Sequence, residues 1–153
     1  MSYTRIDLSK TNYNKSKLKL DARIITDPDP AELEKIYDTY VKYKKFSSVM
    51  PLFAEEYLYP QAEVFGYYDN NVLVAFSLMF RYNSKNVAAL QFAWDYKTPK
   101  LRLGINSLKW ECAYYKELGY DYIYLGDADA YKQHFAGFEV CGPRWTFTQF
   151  MQI

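Results

Sequence analysis

Val87 to Leu125 reads VAALQFAWDYKTPKLRLGINSLKWECAYYKELGYDYIYL, and this stretch decides the architecture. Val87 to Trp94 is short and apolar, as a buried strand is. Ile105, Leu108, Cys112, Tyr115 and Leu118 then recur at helical spacing, and Gly119 stands where a helix takes its C-terminal cap. Asp121 to Leu125 is a second short buried strand. A strand, a helix and another strand in direct succession imply a right-handed crossover between parallel strands.

Upstream, Leu18, Leu20, Ala22 and Ile24 alternate with charged residues, the period of a half-buried strand. TDPDP (Thr26 to Pro30) stops it and can cap a helix. Leu33, Ile36, Tyr37, Tyr40 and Val41 form one helical stripe. A second helix is expected from Ser48 to Tyr59, ended by Pro60. Glu63 to Asp69 and Val72 to Tyr82 form a hairpin through Asp69-Asn70-Asn71, because asparagine tolerates left-handed angles. Downstream, Asp127 to Phe135 holds one or two helical turns. Gly137 to Cys141 and Trp145 to Ile153 form a final hairpin around Gly142-Pro143. Residues 1–16 are polar and expected as a flexible arm, with 17–153 a single domain.

The bulk numbers narrow the function. Net charge is +1, so overall charge does not argue for a polyanion partner, although a local patch can. Two cysteines and one histidine form no metal-ligand spacing, and no metal is expected. No run approaches the length of a membrane span and no signal-peptide core opens the chain, so a cytoplasmic protein with reduced thiols and no membrane partner is expected. Seventeen tyrosines fit either a stacking surface or an A/T-rich coding bias.

Chemistry concentrates at the start of the long helix. Leu101 to Ser107 (LRLGINS) places Gly104 where helix amides lack partners, and a glycine there lets an anion approach the backbone. Lys97, Lys100 and Arg102 precede it. A phosphate suits this place, as does a plain solvated loop. Asp95 closes the central strand, either as an acceptor for an amine's proton or as an ordinary strand end. Asp127 and Asp129 bind a cationic group or cap the short helix. Cys112 lies on the apolar stripe, and neither it nor Cys141 has an activating partner. His134 is a general base or an ordinary surface residue.

Three segments carry a family resemblance. Val64 to Ala75 reads VFGYYDNNVLVA. Phe92 to Tyr96 (FAWDY) is followed by Leu101 to Ser107. Leu118-Gly119-Tyr120 leads into Tyr122 to Gly126 (YIYLG), then Tyr131-Lys132 and Phe135. In this order they resemble the C-terminal domain of arginyl-tRNA–protein transferases over Leu33 to Glu139. That resemblance implies the GNAT acyltransferase fold, an α/β (α+β) domain. Its mixed central sheet has strands 4 and 5 parallel and splayed, and its helices cover both faces. It implies a donor, acetyl-CoA or an aminoacyl-tRNA, lying between the splayed strands against Gln91, Phe92, Ala93 and Trp94. Donor phosphates would sit at Arg102, Leu103, Gly104, Ile105, Asn106 and Ser107. A backbone N–H of Gln91 to Trp94 would hold the oxyanion, and Tyr131 would protonate the leaving group or else pack structurally. The acceptor would be an amine, a small molecule or a protein N-terminus, and the tRNA 3′ end a partner. In the acetyl-CoA signature an Arg or Gln precedes the first glycine by three residues; Leu101 stands there, and Asn106 replaces the second small residue. A non-catalytic binding module on the same fold is the third reading.

Overall fold

The computed structural model describes residues 2–44, 59–95, 102–126 and 130–143. The strands are β1 (Ser2–Asp7), β2 (Asp21–Ile25), β3 (Ala62–Asp69), β4 (Val72–Arg81), β5 (Asn86–Trp94), β6 (Tyr122–Gly126) and β7 (Phe138–Pro143). The α-helices are α1 (Pro30–Lys44) and α2 (Leu103–Glu117), with 3-10 turns at Leu8–Lys10, Lys15–Lys17 and Ala130–His134. One sheet runs in the order β2-β3-β4-β5-β6-β1-β7. It is antiparallel except for β5 and β6.

Alternation along the strands sends side chains to two faces. Leu33, Ile36 and Tyr37 of α1 pack with Val64, Phe76, Leu78 and Ala93 on one face. Leu103, Leu108, Cys112 and Tyr115 of α2 pack with Phe65, Tyr67, Met79, Val87 and Ile123 on the other. The hairpin turn has both Asn70 (φ 50°) and Asn71 (φ 64°) left-handed, which matches the twist of the strands it joins. Helix α2 ends in a Schellman cap: Gly119 has φ 87°, Tyr120 N–H donates to the Tyr115 carbonyl at 3.0 Å, and those two rings meet at 5.2 Å.

Two expectations are corrected. Residues 2–7, expected within a flexible arm, form β1 inside the sheet, next to its edge strand, between β6 and β7. Thr4, Ile6 and Leu8 are buried there while Arg5 and Asp7 are less so. The alternation is disguised because Thr4 is polar, and its hydroxyl is satisfied by the Gly126 carbonyl at 2.7 Å. With this strand counted, the parallel pair is the fifth and sixth rather than the fourth and fifth. Second, Gly142-Pro143 does not turn the chain. Ser2 pairs with Pro143 and Tyr3 with Gly142, so the proline ends β7, where a missing N–H is tolerated. The expected helix from Ser48 to Tyr59, save its last residue, and the expected strand from Trp145 to Ile153 lie outside the described residues.

Candidate acyl-donor site

The site begins where β5 and β6 stop pairing. Asn86 pairs with Tyr122, Val87 with Ile123 and Ala88 with Tyr124, and among the described residues no β5–β6 pair follows, although β5 runs on to Trp94. The cause lies in both strands. Leu78 pairs with Gln91 but Met79 pairs with Ala89, which leaves Leu90 as a bulge on β5. Arg5 pairs with Tyr124 but Thr4 pairs with Gly126, which leaves Leu125 as a bulge on β6. A bulge bends its strand and increases local twist. Two bulges just past the last shared pair turn the strands away from each other. Among the described residues β5 and β6 therefore share no strand pair beyond Ala88 and Tyr124.

Gln91, Phe92, Ala93 and Trp94 all lie on this length of β5. Gln91 and Phe92 are half-buried, while Ala93 and Trp94 are buried. The Tyr40 ring of α1 meets Phe92 edge-on at 6.2 Å, so α1 reaches the same end of the sheet. Asp95 follows directly. It is buried, and its N–H donates to the Val74 carbonyl at 3.0 Å, which fixes the backbone at the strand end.

Helix α2 opens at Arg102, which is exposed and left-handed (φ 47°, ψ 53°) with no side-chain cap. A left-handed non-glycine residue is strained by about 1 kcal/mol or more. The Arg102 carbonyl accepts from Ile105 N–H at 3.2 Å and Asn106 N–H at 3.0 Å, which leaves the Leu103 and Gly104 amides as the ones the helix does not itself bond. Leu103 and Ser107 are buried and anchor the first turns, while Gly104, Ile105 and Asn106 are half-buried. Lys97, Lys100, Asp127 and Asp129 lie outside the described residues. Tyr131 belongs to the 3-10 turn Ala130–His134 after β6. His134 in that turn is exposed, Cys112 is fully buried with its thiol pushed up by burial, and Cys141 is half-buried. Among the described residues no three His, Cys, Asp or Glu side chains are grouped to hold a metal. None of the described helices is long and apolar enough to cross a membrane.

One buried polar cluster escapes the sequence reading. Glu111, 2% exposed on α2, accepts a short hydrogen bond from the Tyr67 hydroxyl of β3. The equally buried Ser77 hydroxyl of β4 lies beside both without hydrogen-bond geometry. The available signal was a glutamate at a position of the helical stripe, next to Cys112. Burial raises the Glu111 carboxyl from 4.5 to about 7, against the opposing pull of the two hydroxyls and Lys132. The folded protein then binds a proton that the unfolded chain releases at lower pH. Stability is therefore full below pH about 4.5 and declines until about 7, a loss of about 3 kcal/mol. Urea denaturation across this range is expected to show the decline in the native chain and its absence in Glu111→Gln. A flat profile for both would disprove the linkage.

The family model for the C terminus of arginine-tRNA-protein transferases matches residues 13–141. The chain belongs to that family. No curated protein matches it. Among solved structures, the chain is similar to L-PGS from Bacillus licheniformis, at 20% identity and a TM-score of 0.63. It is also similar to the C-terminal domain of a putative lysylphosphatidylglycerol synthetase from Agrobacterium fabrum, at 16% and 0.63. Each match covers 83% of this chain but 46% of the other, so the chain spans less than half the length of those proteins. An aminoglycoside acetyltransferase from an uncultured soil metagenomic sample matches at 14% identity and 0.52, covering 92% of this chain and 91% of that one. These likenesses show the GNAT-like acyltransferase fold.

Proposed function

We propose that this domain transfers an aminoacyl group from an aminoacyl-tRNA to a primary amine of a small molecule or a protein N-terminus. The observation that supports it is the end of β5–β6 pairing at Ala88 and Tyr124, beside the opening of α2. The donor's 3′ end lies between the diverging strands. Its ester carbonyl is held against the β5 backbone from Gln91 to Trp94, and its phosphate sits on the first amides of α2 between Arg102 and Ser107. The amine attacks the ester carbon directly, with no enzyme nucleophile, and positioning supplies much of the rate. A carbon–nitrogen bond forms, and the carbonyl oxygen takes negative charge against a β5 amide. As the ester carbon–oxygen bond breaks, Asp95 takes the amine's proton and Tyr131 protonates the departing ribose oxygen. Asp127 and Asp129 receive the cationic side chain of the aminoacyl group.

A second reading keeps the cleft and changes the donor to acetyl-CoA. It is favoured by the aminoglycoside acetyltransferase, which this chain matches over 91% of that protein's length. A thermal-shift panel with CoA, acetyl-CoA and a non-hydrolysable aminoacyl-adenosine separates the two. A ligand at about 100 times its Kd adds about 2.7 kcal/mol, or roughly 5–10 °C for a chain of this size. Stabilisation by the aminoacyl-adenosine and not by CoA is the expected result. Stabilisation by CoA alone overturns it, and no shift with any ligand points to a non-catalytic module.

A further inference from the structure

Residues 8–19 read LSKTNYNKSKLK, with four lysines and no acid, in a chain whose whole net charge is +1. This segment is tied down across the outer face of α2. Leu8 and Thr11 are buried, and the Thr11 hydroxyl donates to the Leu8 carbonyl at 2.7 Å. Tyr13 meets the Phe135 ring at 5.8 Å, and its hydroxyl accepts from Ala136 N–H at 3.0 Å. Asn14 accepts from Ser16 N–H at 2.9 Å and closes the next turn. Its lysines therefore stand on an ordered frame.

Helix α2 adds to them. Lys116 donates to the Thr11 carbonyl, and the Lys109 ammonium stands 5.5 Å from the Tyr13 ring centre. Trp110 and Tyr114 stack at 5.4 Å with 13° between planes, and the Lys15 ammonium lies 5.2 Å from each ring. Cations and rings thus alternate along the helix. Most acids nearby are engaged: Glu117 pairs with Lys15 at 2.7 Å, Glu139 pairs with Arg5 and Lys10, Asp21 pairs with Arg23, Asp7 accepts from Ser9 N–H, and Glu111 points into the core, while Asp121 stands exposed beside Leu8. Lys17, Lys19 and Lys109 have no carboxylate partner among the described residues. Lys109 lies about 9 Å along the axis from Leu103, so the strip continues from the end of α2 assigned above to the donor phosphate.

We propose that this lysine strip, made by residues 8–19 laid over α2, docks the phosphate backbone of the RNA arm whose 3′ end enters the cleft. The inference rests on the aminoacyl-tRNA reading. The rings pack on the core and hold the cations in place, and a line of cations on such a frame fits a strand of phosphates. A bilayer would instead call for large apolar side chains, and along the strip Leu118, past the end of α2, is the exposed one.

The test compares the native chain with Lys17→Ala/Lys19→Ala/Lys109→Ala. Binding of a labelled RNA hairpin with a single-stranded 3′ end is followed by anisotropy between roughly 50 and 200 mM salt. The triple variant is expected to bind about tenfold more weakly at low salt, with the slope of log K against log salt reduced by about 2–3. Lys35→Ala/Lys42→Ala on α1, at exposed positions, is expected to change neither. Should the triple variant melt early, Lys17→Ala/Lys19→Ala, both exposed, carries the same comparison. An unchanged slope, or an equal loss in the α1 variant, overturns the strip. Lysine-dependent capture by phosphatidylglycerol vesicles, tighter than by RNA, overturns the RNA assignment. The aminoacyl-adenosine shift, measured in parallel, keeps the two readings apart. A retained shift without any strip effect sinks the strip alone. Strip-dependent RNA binding without a shift supports the strip and sinks the aminoacyl reading.

Discussion

Gly104→Asp is expected to abolish donor binding while the domain stays folded. Gly104 is the second residue of α2 and half-buried. A carboxylate in the first turn of a helix complements the helix dipole and stabilises by about 0.3–1 kcal/mol, so the melting temperature should hold or rise slightly. The same carboxylate competes with the donor's phosphate for the Leu103 and Gly104 amides. It also places a like charge against that phosphate. Calorimetric titration with whichever donor stabilises the native chain should show a loss of roughly 100-fold or more, equivalent to about 2.7 kcal/mol. Affinity within about threefold of native, in a variant that melts normally, would remove the phosphate seat from α2.

Gly137→Ala is expected to be the most damaging small substitution in the described chain. Gly137 has φ 77°, and a Cβ there would collide with the Asp7 carbonyl oxygen and lie 3.2 Å from the Asp7 C and N atoms. Asp7 cannot retreat easily. It ends β1, and its own N–H donates to the Gly137 carbonyl at 2.8 Å. The neighbour is rigid backbone, not a flexible side chain, so strain in φ and a steric clash add. A loss of roughly 3–4 kcal/mol follows, with a melting temperature lower by about 10 °C. Gly119 is the control. Its φ is 87°, yet a Cβ there meets nothing within 4 Å, so Gly119→Ala should cost about 1 kcal/mol. Equal losses at the two positions would show that the contact with β1 is not what matters.

The proposed function places different demands on different parts of the chain. Gly137 and β1 hold the sheet together on the side away from β5. The bulges at Leu90 and Leu125 open it. An opened sheet loses strand hydrogen bonds, and it remains stable because both faces are covered by buried side chains of α1 and α2. The Glu111 cluster lies inside the α2 face, where a carboxyl that ionises near neutrality makes the helix proposed to carry the donor site less stable as pH rises.

Most elements were legible because they are local. The stripe from Ile105 to Tyr115 specifies α2, the two asparagines specify the hairpin turn, and Gly119 specifies the cap. Each depends on neighbours within a few residues. Strand β1 was not legible as a strand, because Thr4 and Arg5 are polar and find their partners on β6 and β7, more than a hundred positions away in sequence. Glu111 is not legible for a similar reason, since its partner Tyr67 lies on β3, far away in sequence.

By itself the sequence determined most of the element types, β1 excepted, the parallel crossover from β5 to β6 and the glycine at the start of α2, since spacing and backbone preference are properties of the local chain. Only the tertiary structure decided where β5 and β6 separate. A bulge exists only relative to a partner's register, and the partners that expose Leu90 and Leu125 are β4 and β1. The same holds for the lysine strip: four lysines in twelve residues become a surface only when the chain that bears them is laid across α2.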